Sequence, residues 1–206
     1  MKLSRMAYMV VSLLLGVVIL VVSMARAGLE IMAVEGNEET LRNDPIKFVI
    51  VNDEFEKEEY FYKLPEAGML PTNPFYGFKK VRDFLWVKFS SGSIKKAKVQ
   101  LLVADKRMAE AKILLEDNRS KVGLEASQEA FDALKLAEIS ISGVQEETDD
   151  SRQMQSRIFK AGFAYMQILK TSENSFELDT SKYNQLIKEL DEWNQKQKSQ
   201  EKEDEG

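Results

Sequence analysis

Apolar residues recur at helical spacing along most of this chain, and one stripe runs without a break. Ile94, Ala97, Leu101, Ala104, Met108, Ala111 and Leu115 alternate steps of three and four, as a helix face packed against neighbours does. The alanines at alternate positions allow close helix–helix approach. Ahead of it, Asn73-Pro74 joins a capping side chain to a proline suited to the first helical position, so a helix is predicted to start there. Phe75, Phe78, Val81, Leu85 and Phe89 form its apolar stripe, with Lys79, Lys80 and Arg82 outside, which predicts that the aromatic side is buried. Ser90-Ser91-Gly92-Ser93 breaks the chain between these two helices, and Ser93 is placed to cap the second.

Three more helices follow. Asp117-Asn118-Arg119-Ser120 is a polar turn before a helix over about Lys121 to Val144, where Leu124, Phe131, Leu134 and Ile141 share a face interrupted by Ser127 and Glu138. Glu146 to Asp150 is expected to cap the next helix and complement its dipole, and Met154, Ile158, Ala161, Tyr165 and Ile168 step by four and three. A polar loop from Thr171 to Thr180 carries two apolar plugs, Phe176 and Leu178. A last helix then presents Tyr183, Leu186, Leu190 and Trp193. From Asn194 to Gly206 no apolar residue occurs, and this charged tail is expected to be disordered. The fold class expected is all-α, an antiparallel helical bundle of four to five helices spanning 64–193.

The first 27 residues follow a different rule. Met6 to Met24 contains no charge, and at about 1.5 Å per residue it reaches roughly 28 Å, close to a bilayer's hydrocarbon thickness. Lys2 and Arg5 precede it, so the positive-inside bias puts the N-terminus in the cytoplasm and the bundle outside. A retained single-pass anchor is expected. The alternative is a signal peptide cleaved after Ala27, since Ala25-Arg26-Ala27 fits the small-x-small pattern. Residues 28–63 read as an acidic juxtamembrane linker. Within it Ile46 to Val51 favours extended backbone, as a docked segment or isolated strand, and Asp53 to Glu59 reads as solvated.

Composition narrows the chemistry. All 34 acidic residues lie beyond Gly28, as do all but three of the 29 basic ones, leaving that part with a formal charge of −8. Such a surface argues against nucleic acid as a ligand. The chain has no histidine and no cysteine, so it lacks the commonest general base, the commonest metal ligand, and any lipid-attachment cysteine or disulfide. No phosphate loop, nucleophile elbow or helix-borne metal motif occurs. Met108, Met154 and Met166 sit at core positions as gap fillers rather than soft-metal ligands. Asn118-Arg119-Ser120 fits a glycosylation sequon. No catalytic, cofactor or metal site is expected, and the chain reads as non-enzymatic.

One block stands apart. In Leu64 to Lys112 two Leu-Pro steps force extended backbone ahead of the Asn-Pro cap, which would lay Leu64, Leu70 and Pro71 against Phe75, Tyr76, Phe78 and Trp86. Tyr76, Phe84 and Trp86 rimmed by Lys79, Lys80 and Arg82 form a candidate protein-contact patch; the competing reading is a structural lid on the bundle. The order Leu64-Pro65, Gly68, Leu70-Pro71, Pro74, Tyr76, then Lys79-x-x-Arg82-Asp83, Lys95-Lys96-Ala97 and Ala104-Asp105-Lys106-Arg107 resembles the domain-of-unknown-function 5667 family over about Leu64 to Val144. The sequence departs from the family pattern at Glu66-Ala67, where an aromatic-proline pair is common, and at Gly77. The resemblance implies a helical extracytoplasmic domain and carries no catalytic residues to transfer. The function expected is an interaction or scaffold module of a prokaryotic cell envelope, with an envelope protein or a second copy as partner. A membrane-anchored sensor is the alternative, limited by a cytoplasmic end too short for an output domain.

Overall fold

A computed structural model describes residues 45–51, 57–146, 148–173 and 180–205, with isolated helical positions between Tyr8 and Val22. Two strands precede five long helices among the described residues: β1 (Ile46–Val51), β2 (Lys57–Tyr62), α1 (Tyr76–Phe89), α2 (Ser93–Glu116), α3 (Ser120–Ser142), α4 (Asp149–Thr171) and α5 (Thr180–Glu205). The helical bundle stands as expected. Among the described residues no helix is long and apolar enough to cross a membrane. Most of Met6–Met24 lies outside them, and so does the choice between anchor and cleaved signal. The plugs Phe176 and Leu178 also lie outside.

Helix α2 is the hub. The stripe Ala97, Leu101, Ala104, Met108, Ala111 and Leu115 is buried at 1 % exposure or less, and α2 also buries Val99, Leu102, Asp105, Arg107, Glu110 and Leu114 on its other faces. Burial on several faces between Ala97 and Leu115 weakens the amphipathic pattern, which is why one stripe describes only part of the helix. Helix α2 ends in a Schellman motif: Arg119 N donates to Leu114 O (2.8 Å) and Asn118 N to Leu115 O (3.1 Å), with Asn118 left-handed at φ 57. That conformation gives the asparagine of the sequon a structural reason.

The faces expected of α3, α4 and α5 are the ones buried, from Leu124, Phe131, Leu134 and Ile141 through Met154, Ile158, Ala161, Tyr165 and Ile168 to Tyr183, Leu186, Leu190 and Trp193. Ser127, which interrupts α3, donates to Gly123 O at 2.9 Å and so costs the core little. Thr148 caps α4 through a reciprocal box with Ser151, and Asp149 and Asp150 occupy the first turn.

Three expectations are corrected. A second strand exists: β2 pairs antiparallel with β1 in the register Phe48↔Tyr60, so Lys57 to Glu59 is strand rather than linker. Phe48 and Tyr62 alternate inward and join the main core, Phe48 stacking on Phe163 at 6.2 Å, while the charges of Lys47 and Glu59 pair on the outer side at 2.8 Å. The hairpin is supplied by tertiary contact with α4, which outweighs the weak strand preference of a charged run. Second, α5 continues past Asn194 to Glu205 instead of ending in a disordered tail. Trp193 Nε1 and Gln197 Nε2 donate to the two oxygens of Glu138 (2.8 and 2.6 Å), so the acid that interrupts α3 is the acceptor that holds α5. Third, α1 is oriented opposite to expectation, its aromatic stripe facing out.

Gly162 lets α4 and α5 approach. A Cβ there would lie 2.3 Å from Asn194 Oδ1 and 2.4 Å from the Trp193 ring, whereas one at Gly77 would meet nothing within 4 Å. Gly162→Ala is expected to lower unfolding stability by about 1–3 kcal/mol in urea titrations, and Gly77→Ala to change it by less than about 1 kcal/mol in the stabilising direction.

Candidate functional site

Helix α1 buries Tyr76, Lys79, Asp83 and Trp86, residues spaced by three, four and three along one face. Opposite them on α2 stand Arg107 and Glu110, one turn apart. The Glu110 carboxylate is 0 % exposed and takes its donors from both helices. Tyr76 Oη donates to Oε2 at 2.5 Å, Lys79 Nζ to Oε1, and Arg107 Nη1 to Oε2 at 3.1 Å. Arg107 Nη1 also donates to the Tyr76 hydroxyl, its guanidinium carbon lies 4.9 Å from the Tyr76 ring centroid, and its Nη2 donates to Asp83 Oδ2 at 3.0 Å. Arg82 Nη2 closes on Asp83 Oδ1 at 2.7 Å. Glu129 of α3 accepts from Lys80 and lies 3.6 Å from Arg107 Nε, extending the network to a third helix.

In this network Lys79, Lys80, Arg82 and Arg107 face Asp83, Glu110 and the half-exposed Glu129. Burial raises the Tyr76 phenol well above its usual range, and the bond to Glu110 adds to this. Burial lowers Lys79 against the pull of Glu110. In Arg107 burial is outweighed by Glu110, Tyr76 and Asp83, and the pKa rises. Lys79 Nζ additionally donates to Ala67 O at 2.9 Å and Met69 O at 3.3 Å. One ammonium therefore ties the Leu-Pro segment to α1, where aromatic contacts were expected to do so. Leu64 and Ala67 instead join the main core.

A second carboxylate of α2 serves a different neighbour. Asp105 accepts from Tyr62 of β2 at 2.9 and 3.0 Å and from Tyr165 of α4 at 2.7 Å. Burial raises its pKa to about 6, opposed by the bond from Tyr165, the charge of Arg157 and the bond from Tyr62. This triad pins the hairpin to the bundle.

With α1's polar side spent on α2, its aromatic side faces solvent. Phe75, Phe78, Phe84 and Phe89 are 61–75 % exposed and Val81 51 %. Of the six residues read as a contact patch, Phe84 and Lys80 are exposed. Tyr76, Lys79 and Trp86 are buried, Trp86 against Val99 and Leu102. Arg82 is half-buried on Asp83. The patch is thus divided between the two sides of one helix, and Phe75, Phe78, Val81 and Phe89 are exposed together with Phe84. Asp83, Arg107 and Glu110 were missed. Their signal was the three-four-three spacing of Tyr76, Lys79, Asp83 and Trp86, which competes with the phenylalanine stripe for the inward side.

Residues 68–162 match the family model described as Domain of unknown function (DUF5667). The matched segment starts and ends later than the resemblance read from the sequence, and it takes in α1, α2, α3 and α4 as far as Gly162. No curated protein and no solved structure matches the chain. The residues that carried the resemblance now have physical roles. Tyr76, Lys79, Arg82, Asp83 and Arg107 form the α1–α2 seam, and Asp105 holds the hairpin.

Two outcomes follow. Glu110→Ala leaves Lys79 and Arg107 without their main counter-charge and is expected to cost about 3–5 kcal/mol in denaturant unfolding, against less than about 0.5 kcal/mol for Val81→Ser on the exposed side. Asp105 has a folded pKa above its unfolded one, so its contribution is complete below about pH 4 and is lost as pH rises through about 6. Asp105→Asn keeps an acceptor and removes the titration. The wild-type stability minus that of Asp105→Asn is expected to fall by about 3 kcal/mol between pH 4 and 7.5, read from paired thermal or urea melts.

Proposed function

We propose that the chain is a non-enzymatic interaction module of a prokaryotic cell envelope, held at the membrane by its N-terminal apolar run and presenting the outward side of α1 as its contact surface. The observation that carries this reading is the orientation of α1. Five large apolar side chains face solvent along α1 while Lys79 and Asp83 of the same helix are buried, and exposed apolar surface of that kind marks interaction sites in soluble domains. The buried titratable groups support the non-enzymatic half, since Tyr76, Lys79, Asp83, Arg107 and Glu110 satisfy one another within a seam sealed between helices. The tether is supported by Met6 to Met24 itself. Its described large side chains, Tyr8, Val11, Leu15, Val18, Ile19 and Val22, are helical and 56–76 % exposed, apolar surface left for something else to cover.

The test is fractionation of prokaryotic cells expressing the full chain, followed by intact mass and protease treatment of spheroplasts from outside. A full-length mass in the membrane pellet, with the bundle digested by external protease, is the expected result. A soluble species beginning at Gly28 removes the tether while keeping export. Protection of the bundle from external protease removes export.

A further inference from the structure

The outward ridge of α1 needs an occupant, and three features of the chain select one. The first is shape. Phe75, Phe78, Val81, Phe84 and Phe89 lie along a convex helix surface, and a convex apolar ridge flanked by lysines suits the headgroup–acyl boundary of a bilayer, which requires no matching groove. The second is charge. From Lys79 to Lys98 the only acidic residue is Asp83, which is buried on Arg107; Lys80 is paired with Glu129, while Lys88, Lys95 and Lys96 are exposed, on a chain of net charge −5. Lys88 Nζ sits 5.8 Å from the Phe84 ring centroid, so cation and aromatic ring are already adjacent. The third is reach. Residues 25–44 separate the apolar run from β1, a contour of about 70 Å when extended, ample for the bundle to turn any side toward the membrane.

We infer that α1 is a membrane-docking helix: its phenylalanine ridge enters the interfacial layer of the bilayer that holds the N-terminal run, and Lys88, Lys95 and Lys96 contact anionic phosphate headgroups. This rests on the tether proposed above. A second copy is the weaker occupant, because a two-fold interface sets the same patch against itself and would oppose these lysines to their own images.

The chain has no cysteine, so a single introduced one takes a spin label alone. Full-length Val81→Cys is labelled and reconstituted into vesicles of phosphatidylglycerol and phosphatidylcholine, with Lys188→Cys on the exposed side of α5 as reference. Vesicle flotation is run on the same samples. The expected result is flotation of both proteins, with the label at 81 colliding more often with oxygen than with a water-soluble nickel chelate and the label at 188 the reverse. Adding Phe75→Ser, Phe78→Ser and Phe89→Ser to Val81→Cys is expected to return the label to water without moving the melting temperature. A floating protein whose label at 81 stays in water overturns the docking and leaves the tether intact. Spin–spin broadening between labels at 81 overturns it in favour of a second copy. A chain that does not float overturns tether and docking together.

Discussion

The orientation of α1, and through it the outer surface of the molecule, depends on one carboxylate. Glu110 is completely buried on a helix that is itself buried on several faces. A charge in that position survives only with several strong donors, since its desolvation far exceeds the worth of any single bond. Arg107 supplies one from the same helix, and Tyr76 and Lys79 bring two more from α1. The donors fix which side of α1 faces inward. Once they are engaged, the phenylalanines at the remaining positions have nowhere to go but solvent. An amphipathic helix normally buries its apolar side; here the cost of an unpaired buried charge overrides the gain from burying five large side chains.

Asp105 and Glu110 are five residues apart on α2 and so point in different directions, about 140° apart at 100° per residue. Each gathers hydroxyl donors, Tyr62 and Tyr165 for one and Tyr76 for the other, and each secures an element that apolar packing alone does not place. The hairpin is attached by one seam and the outer helix by the other. The polar residues of α2 thus decide where peripheral elements dock, while its alanine and leucine stripe holds the bundle together.

What was legible in the sequence follows from the same division. Faces whose apolar residues pack on each other were readable from spacing, because periodicity reports burial directly: Ala97 to Leu115, Met154 to Ile168 and Tyr183 to Trp193 are all inside. A cap was readable from local chemistry at Thr148, whereas Ser93, expected to cap α2, lies inside it after an N-cap at Gly92 that makes no side-chain bond. The misread elements are those whose placement is set by polar partners distant in sequence. Tyr76 lies 34 residues from Glu110, Tyr62 lies 43 from Asp105, and Trp193 lies 55 from Glu138. Apolar periodicity carries no term for such pairs. It therefore assigned the wrong side of α1 to the core, missed β2, and ended α5 at the point where its contacts become polar.

The residues grouped as a contact patch fall on two sides of α1 for an instructive reason. Aromatic and cationic residues close together in sequence were grouped into one surface, yet on a helix Tyr76 and Lys79 belong to the side opposite Phe78 and Val81. Separating the two sides leaves the inner one with every charge accounted for and the outer one with its apolar side chains uncovered. The two sides carry different demands. Changes on the inner side would release Glu110 and loosen α1 on the bundle, whereas changes on the outer side alter only what the helix offers its surroundings. A helix locked inward by ion pairs is a firm platform for exposed phenylalanines, because the bonds that hold it do not compete with whatever those rings meet.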